Sequence, residues 1–182
     1  MKRAQLEHVI GAAAAIAEDD EIVVVGSQAI LGTFPDAPAE LVVSNEADIY
    51  PRHRPERSDL IDGSIGELSP FHDTFGYYAQ GVGPETAMLP PGWEARLVPV
   101  RSPRTRGATG WCLEVHDLAL SKYAAMREKD DVYCRTLAVA RLVDRTTLEA
   151  RLATMILDDK LRAAMQGRIH ADFKAASAQA PT

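Results

Sequence analysis

Glu46 and Asp48 stand two residues apart in the segment Leu-Val-Val-Ser-Asn-Glu-Ala-Asp-Ile-Tyr, residues 41–50. In extended backbone, residues i and i+2 project to the same side, so the two carboxylates share one face. Earlier in the chain the β-branched run Ile22–Val25 ends at Gly26-Ser27, and Ser27–Leu31 has helical character. A strand that turns into a helix at a glycine–serine pair exposes backbone N–H groups that favour an anion such as phosphate. Two carboxylates beside such a turn suit Mg²⁺, which takes hard oxygen ligands and shares them with substrate phosphates. Plainer readings stand beside these. Gly26-Ser27 is also what a tight turn needs, and Glu46 and Asp48 are also what a solvent-facing strand end carries.

Lys122 lies within the otherwise apolar stretch Leu118–Ala125. Its ammonium either runs outward along its stem to water or reaches an anion, and in the second case it offsets phosphate charge during a transfer reaction. Asp130 is a candidate third carboxylate or the partner of that lysine, while Arg127 and Asp130 also fit an ordinary helix-surface pair. His72 and His116 read as capping or otherwise satisfied histidines, and Asp117 as a helix N-cap. Trp93, Trp111, Tyr77 and Tyr78 read as core or sheet-face residues.

The elements that must hold these residues follow from pattern and punctuation. Lys2–Ala17 is helical, with Leu6, Ile10, Ala13 and Ala17 on one stripe. A strand over Ile22–Val25 follows, then a short helix ending near Gly32, and a proline-containing loop over Thr33–Ala39. A second strand is expected from about Leu41 to Tyr50, stopped by Pro51. Ser58 is expected to cap a helix over Asp59–Ile65, Ser69–Thr74 to be a connector, and Tyr77–Val82 a strand. Ala95–Val100 and Trp111–Val115 read as two more strands around an exposed loop with three arginines, Arg101, Arg104 and Arg106. From Asp117 the pattern is helical over Asp117–Arg127, Asp130–Leu142, Thr146–Leu157 and Asp159–Lys174, with a low-complexity tail over 175–182. The expectation is an α+β fold with a small mixed β-sheet flanked by helices. Residues 1–116 form its core, 117–174 a helical C-terminal part packed on that core, and 175–182 a flexible tail.

A chain of 182 residues with 46% hydrophobic and 25% charged residues is long enough for one good core. The apolar stretch Val9–Ala17 is too short to span a bilayer and no cleavage-type signal follows it; Cys112 and Cys134 form neither a metal spacing nor a disulfide framework. A cytoplasmic, reduced protein without a membrane partner is the plain expectation. The net charge of −6 is unevenly spread. Residues 1–100 hold 6 Lys+Arg against 16 Asp+Glu, and residues 101–182 hold 14 against 10. The basic half either faces phosphate, RNA or an acidic partner, or consists of ordinary solvated helix faces. No Gly-x-x-x-x-Gly-Lys loop, Gly-x-Ser-x-Gly elbow or His-Glu-x-x-His helix occurs, which disfavours those enzyme classes.

Val25-Gly26-Ser27 followed by Glu46-Ala47-Asp48-Ile49 resembles the nucleotidyltransferase superfamily of the DNA polymerase beta type. Asp117-Leu118-Ala119-Leu120-Ser121-Lys122, with Ala125–Asp130 after it, looks like the helical segment of that superfamily's abortive-infection branch, which includes bacterial toxin–antitoxin toxins. The resemblance covers roughly Glu21–Val143. It implies an NTP with its phosphates on Gly26, Ser27 and Lys122, and Mg²⁺ on Glu46 and Asp48. It also implies catalytic roles for Glu46, Asp48, Lys122 and Asp130, an RNA or protein hydroxyl as acceptor, and a cognate partner protein. Leu31 stands where the branch usually has a basic residue, Glu46 where the first acid is usually Asp, and the Gly76–Val82 run lacks an acid. Those departures carry the alternative, a catalytically inactive binding or regulatory module on the same fold.

Overall fold

The computed structural model describes residues 1–178. The chain forms two compact units: Met1–Ala87 with Arg96–Glu114, and Met88–Ala95 with the chain from Val115 onward. The first unit is α+β. Helix α1 (Arg3–Ala17) leads into strand β1 (Glu21–Val24), and a 3₁₀ turn over Ser27–Ala29 runs into the single-turn helix α2 (Ile30–Thr33). Then come β2 (Glu46–Pro51), α3 (Ser58–Ile65), α4 (Pro70–Phe75), β3 (Tyr78–Gly81), β4 (Val98–Val100) and β5 (Thr109–Cys112). The five strands make one mixed sheet in the order β3-β2-β1-β5-β4. β1 is central, antiparallel to β2 and parallel to β5. Being covered on both faces, Ile22, Val23 and Val24 are almost wholly buried, as a continuous β-branched run predicts.

The apolar stripe of α1 packs as the sequence predicts: Leu6, Val9, Ile10, Ala13 and Ala17 are fully buried. Each large aliphatic side chain buried there contributes about 1.5–3 kcal/mol before chain entropy is counted. The helix stops at Glu18, whose backbone is left-handed (φ 50°). Asp19 then organises the crossing into the sheet. Its carboxylate accepts from the backbone N–H of Glu21 (3.0 Å), His53 (2.7 Å) and Arg54 (3.1 Å), and contacts His53 Nδ1 at 3.1 Å.

Several boundaries differ from the sequence reading, each for a local reason. The second strand starts at Glu46 rather than Leu41, because the amides of Leu41 and Val42 bond back to Pro38 and Ala39 in a 3₁₀ turn and cannot enter the ladder. Ala95 likewise bonds back to Gly92, so the fourth strand begins at Val98. Ser69–Thr74 contains a helix, not a plain connector: Ser69 Oγ accepts from His72 N–H (3.2 Å), Pro70 opens α4, and left-handed Gly76 closes it. Ser58 lies inside α3 and does not cap it; its hydroxyl contacts the carbonyls of Pro55 and Val82, both at 2.8 Å.

The second unit is helical apart from Met88–Ala95: α5 (Val115–Ala125), α6 (Glu128–Val139), α7 (Arg145–Thr154) and α8 (Asp159–Ala178). Asp117, expected as an N-cap, sits in the first turn of α5, fully buried, and accepts from Arg151 Nη1 at 2.8 Å. α8 runs past the expected stop at Lys174 to Ala178, and the remainder of the expected tail lies outside the described residues. Among the described residues no helix is long and apolar enough to cross a membrane.

Burial raises the Asp19 pKa, but the hydrogen bonds from Glu21 and His53 and the His53 charge outweigh it and hold the carboxyl below the usual aspartate range. A depressed folded-state pKa gives stability that is complete above the unfolded value of 3.8 and is lost as pH falls through the folded value. Asp19→Ala should therefore cost about 2–4 kcal/mol in urea denaturation at pH 7, and the gap to wild type should shrink below about pH 4. A gap that stays constant down to pH 2 would show that Asp19 does not anchor this crossing.

Candidate active site

The pairing of β1 with β2 sets the acids. Val24 faces Ile49 in the antiparallel ladder, and the next amide, Val25 N–H, donates to the Asp48 carbonyl at 3.0 Å. Ala47 and Ile49 are fully buried, while Glu46 and Asp48 are half-buried on the other face, as the i, i+2 spacing predicts. Asp48 then leans over the end of β1. A Cβ placed on Gly26 would lie 1.7 Å from Asp48 Oδ2 and 2.6 Å from its carboxyl carbon. Gly26 has φ −80° and ψ −170°, extended backbone open to any residue, so glycine is required here by space and not by backbone conformation. The carboxylate occupies the volume a side chain would take.

Glu46 is fixed from the neighbouring strand. β3 runs parallel to β2 with Glu46 beside Tyr78 and Asp48 beside Gln80. The Tyr78 hydroxyl donates to Glu46 Oε2 at 2.8 Å. Burial, and then the Glu46 carboxylate it serves, push the Tyr78 pKa up to about 12, so it remains a donor at neutral pH. The His72 ring stacks obliquely on Tyr78 at 4.6 Å, and its Nδ1 accepts from Leu68 N–H at 3.1 Å. In the neutral ring the proton then lies on Nε2. The sequence reading placed Tyr78 on a sheet face and His72 as a satisfied histidine without linking either to Glu46. The link depends on a strand register that no local pattern encodes.

Behind the acids, Ser44 Oγ accepts from Glu46 N–H at 3.0 Å, and the Ser44 carbonyl accepts from Gln28 Nε2 at 3.1 Å. Gln28 is fully buried and its Oε1 has no hydrogen-bond partner among the described residues. Gly26 and Ser27 are half-buried at the head of the 3₁₀ turn, and Leu31, one turn on, is buried core.

Lys122 and Asp130 are brought together in the helical unit. Lys122 Nζ donates to Asp130 Oδ1 at 3.2 Å and lies 4.5 Å from the Tyr133 ring centroid, with its side chain 9% exposed. Arg127 Nε holds the other Asp130 oxygen at 2.5 Å. Burial opposes the Asp130 charge, but Arg127 and Lys122 overcome it and keep the carboxyl below its usual range. Of the two fates open to Lys122, outward to water or onto an anion, its ammonium takes the second, and the anion is Asp130. His116 Nε2 accepts from Asp144 N–H at 2.9 Å, a capping arrangement.

Among the described residues no three or more His, Cys, Asp or Glu side chains gather as a metal cluster. Glu46 and Asp48, two carboxylates on one face of β2, are the candidate donors for a divalent ion. Two carboxylates on one face, with Asp48 Oδ2 in the hollow left by Gly26, would suit a hard divalent cation that also takes phosphate oxygens. Such an arrangement could hold a polyphosphate through a shared cation and position its phosphorus for attack.

A family model described as nucleotidyltransferase of unknown function (DUF6036) matches residues 4–176. No curated protein and no solved structure matches the chain.

Gly26→Ala tests the geometry directly. With a carboxylate where the new methyl must go, the substitution should cost about 1–3 kcal/mol through overpacking or displace Asp48. Wild-type stability together with unchanged divalent-ion affinity, measured by calorimetry, would show that the Gly26–Asp48 contact is not tight.

Proposed function

This chain belongs to that nucleotidyltransferase family, and from this premise we propose that it transfers a nucleoside monophosphate from an NTP to a hydroxyl of an RNA or protein acceptor. The observation that carries the reading is the half-buried pair Glu46 and Asp48 on one face of β2, with Asp48 packed into the side-chain space that Gly26 lacks. In this reading Glu46 and Asp48 hold Mg²⁺, which supplies Lewis-acid polarisation of the phosphates. Gly26 and Ser27 receive phosphate oxygens at the head of their turn. Tyr78 keeps the Glu46 carboxylate turned by donating to Oε2. The acceptor oxygen bonds to the α-phosphorus, the bond from that phosphorus to the bridging oxygen breaks, pyrophosphate leaves, and the hydroxyl proton passes to solvent. The chain's part is positioning and charge neutralisation.

Lys122 and Asp130 enter the proposal as an ion pair, with Lys122 offered as the cation that offsets phosphate charge during transfer. A buried lysine engaged by a buried carboxylate supports a role beyond solvation. The resemblance of the 117–130 segment to the abortive-infection branch extends the reading to a bacterial, cytoplasmic toxin–antitoxin setting with a cognate partner protein.

A second reading has its own observation. Gln80, not an acid, stands beside Asp48 in the parallel register of β3. With two carboxylates in place of three, the fold would also serve as a non-catalytic nucleotide-binding or regulatory module.

Calorimetry with NTPs, with and without Mg²⁺, separates these readings when joined to a transfer assay. Asp48→Ala and Glu46→Ala should each abolish Mg²⁺-dependent NTP binding while the protein stays folded. Lys122→Met should reduce transfer by about 10²-fold or more, as loss of a charge stabiliser at the phosphates does. Equal Mg²⁺-dependent affinity in wild type and Asp48→Ala would sink the metal pair. NTP binding without turnover would favour the second reading.

A further inference from the structure

The loop between β4 and β5 carries three arginines on a backbone braced by hydrogen bonds. Ser102 Oγ accepts from Arg104 N–H (3.1 Å), Ser102 N–H donates to Thr105 Oγ1 (3.3 Å), and the buried Thr105 hydroxyl donates to the Ala108 carbonyl (2.7 Å). The loop is also pinned to α1. Ser102 Oγ lies 2.9 Å from Glu7 Oε2, and a Cβ on Gly11 would stand 2.7 Å from the Arg104 carbonyl. On this braced backbone Arg101, Arg104 and Arg106 are exposed, and none has an ion pair among the described residues. Several other arginines are spent internally: Arg3 on Glu7, Arg135 on Asp172, Arg151 on Asp117 and Arg168 on Asp131.

Between Glu7 and Gly11, the two places where α1 meets the loop, lies His8, and His8 belongs to an aromatic cluster. Its ring centroid is 5.2 Å from Phe71, 4.8 Å from Phe75 and 6.0 Å from Tyr77, and its Nδ1 lies 2.7 Å from the Tyr77 hydroxyl. Phe71 and Phe75 are one turn apart on α4, at 4.8 Å, and Phe75 is 46% exposed. Burial, with the Arg106 charge second, lowers the His8 pKa, which keeps the ring neutral and adds no competing cation to the aromatic face. The next side chain on α4 after Phe71 is His72, stacked on the Tyr78 that donates to Glu46. One short helix thus joins the aromatic cluster to the acids.

We propose that the Arg101–Arg106 loop and the His8–Phe71–Phe75 cluster form a binding surface for a single-stranded polynucleotide, with the arginines on its phosphates and Phe75 under a base. Exposed guanidinium groups without an acidic partner, carried on a braced loop, give the sequence-independent phosphate attraction of such complexes, and an exposed aromatic ring gives the stacking platform that every base accepts. An acidic peptide would satisfy the arginines and leave Phe75 without a flat partner. In the transfer reading above, on which this assignment of the acceptor rests, the surface seats the acceptor strand along α4 toward Glu46.

The test is fluorescence anisotropy of a labelled single-stranded RNA of about twelve nucleotides, a length within the span of known strand-binding grooves. It is run with neither NTP nor Mg²⁺ and repeated over a salt series. Wild type should bind with affinity that falls steeply with salt. Arg104→Gln with Arg106→Asn, which keeps a residue tolerant of the left-handed backbone at 106 (φ 53°), should reduce the salt slope by about 1.4, or 0.7 per lost phosphate contact. Phe75→Ser should weaken binding about ten-fold and leave the slope unchanged. Matching thermal unfolding of the variants and wild type keeps these readouts free of misfolding, and a single-stranded DNA of the same sequence identifies the strand, since a preference for either or for neither supports the surface. Absence of salt-dependent binding, an unchanged slope in the arginine variant, or equal competition by a poly-glutamate peptide overturns the proposal. NTP binding is measured separately: if it fails while strand binding holds, the transfer reading falls and this surface stands; if it holds while strand binding fails, the surface falls and the acceptor is not a strand.

Discussion

Residue 26 has no side chain, and the candidate site depends on that absence. The Asp48 carboxylate fills the space in which a Cβ would stand, so the acid is held against the end of β1 by packing as well as by the ladder. Everything that fixes β1 therefore fixes Asp48. β1 is the central strand, buried on both faces and paired on both edges. Glu46, two residues back, inherits the same face from the pleat and takes its orientation from Tyr78 on the next strand. A carboxylate held in this way has lost much of its freedom before any ligand arrives, which lowers the entropy cost of making it a ligand.

In the helical unit the buried acids have basic or hydroxyl partners: Asp117 with Arg151, Asp130 with Lys122 and Arg127, and Asp172 with Arg135 and the Tyr123 hydroxyl. Pairs of this kind add little net stability over apolar replacements, but breaking one leaves a buried charge uncompensated. They engage four of the 14 Lys and Arg residues found after residue 100. Others face water, among them Arg141 in the helical unit and Arg101, Arg104 and Arg106 on the β4–β5 loop of the other unit. A charge count along a sequence locates where cations are, not whether they are already engaged.

The features legible in the sequence were those set by near neighbours. The stripe on α1, the buried run of β1, the break at Gly26-Ser27 and the common face of Glu46 and Asp48 all follow from periods of 3.6 and 2 residues. The α+β class followed from their order. The start of β2 was not legible, because Leu41-Val42-Val43 has strand-forming side chains but its amides are claimed by a 3₁₀ turn after Pro38. The helix at Pro70 was legible in principle from Ser69-Pro70 and Gly76, a cap, a first-turn proline and a left-handed stop. Tyr78 and His72 as neighbours of Glu46 were beyond reach, since they depend on β3 lying parallel to β2 in one particular register. The family match gives the class of the protein, and the roles proposed for Lys122 and Asp130 rest on the resemblance together with their mutual contact.

The sheet order has a further consequence for how the molecule is made. β1 finds one neighbour, β2, soon after it leaves the ribosome, but its other neighbour, β5, is synthesised only after β2, β3 and β4. Until Thr109–Cys112 emerges, the most apolar strand of the protein has an open edge whose proper partner does not yet exist. Late, non-local pairing of this kind slows folding and leaves a nascent chain exposed to wrong partners. α1 precedes β1 and can shelter one face of that strand, but a helix packed on a face does not pair an edge. The site that depends on β1 is thus encoded early in the chain and completed late in its synthesis.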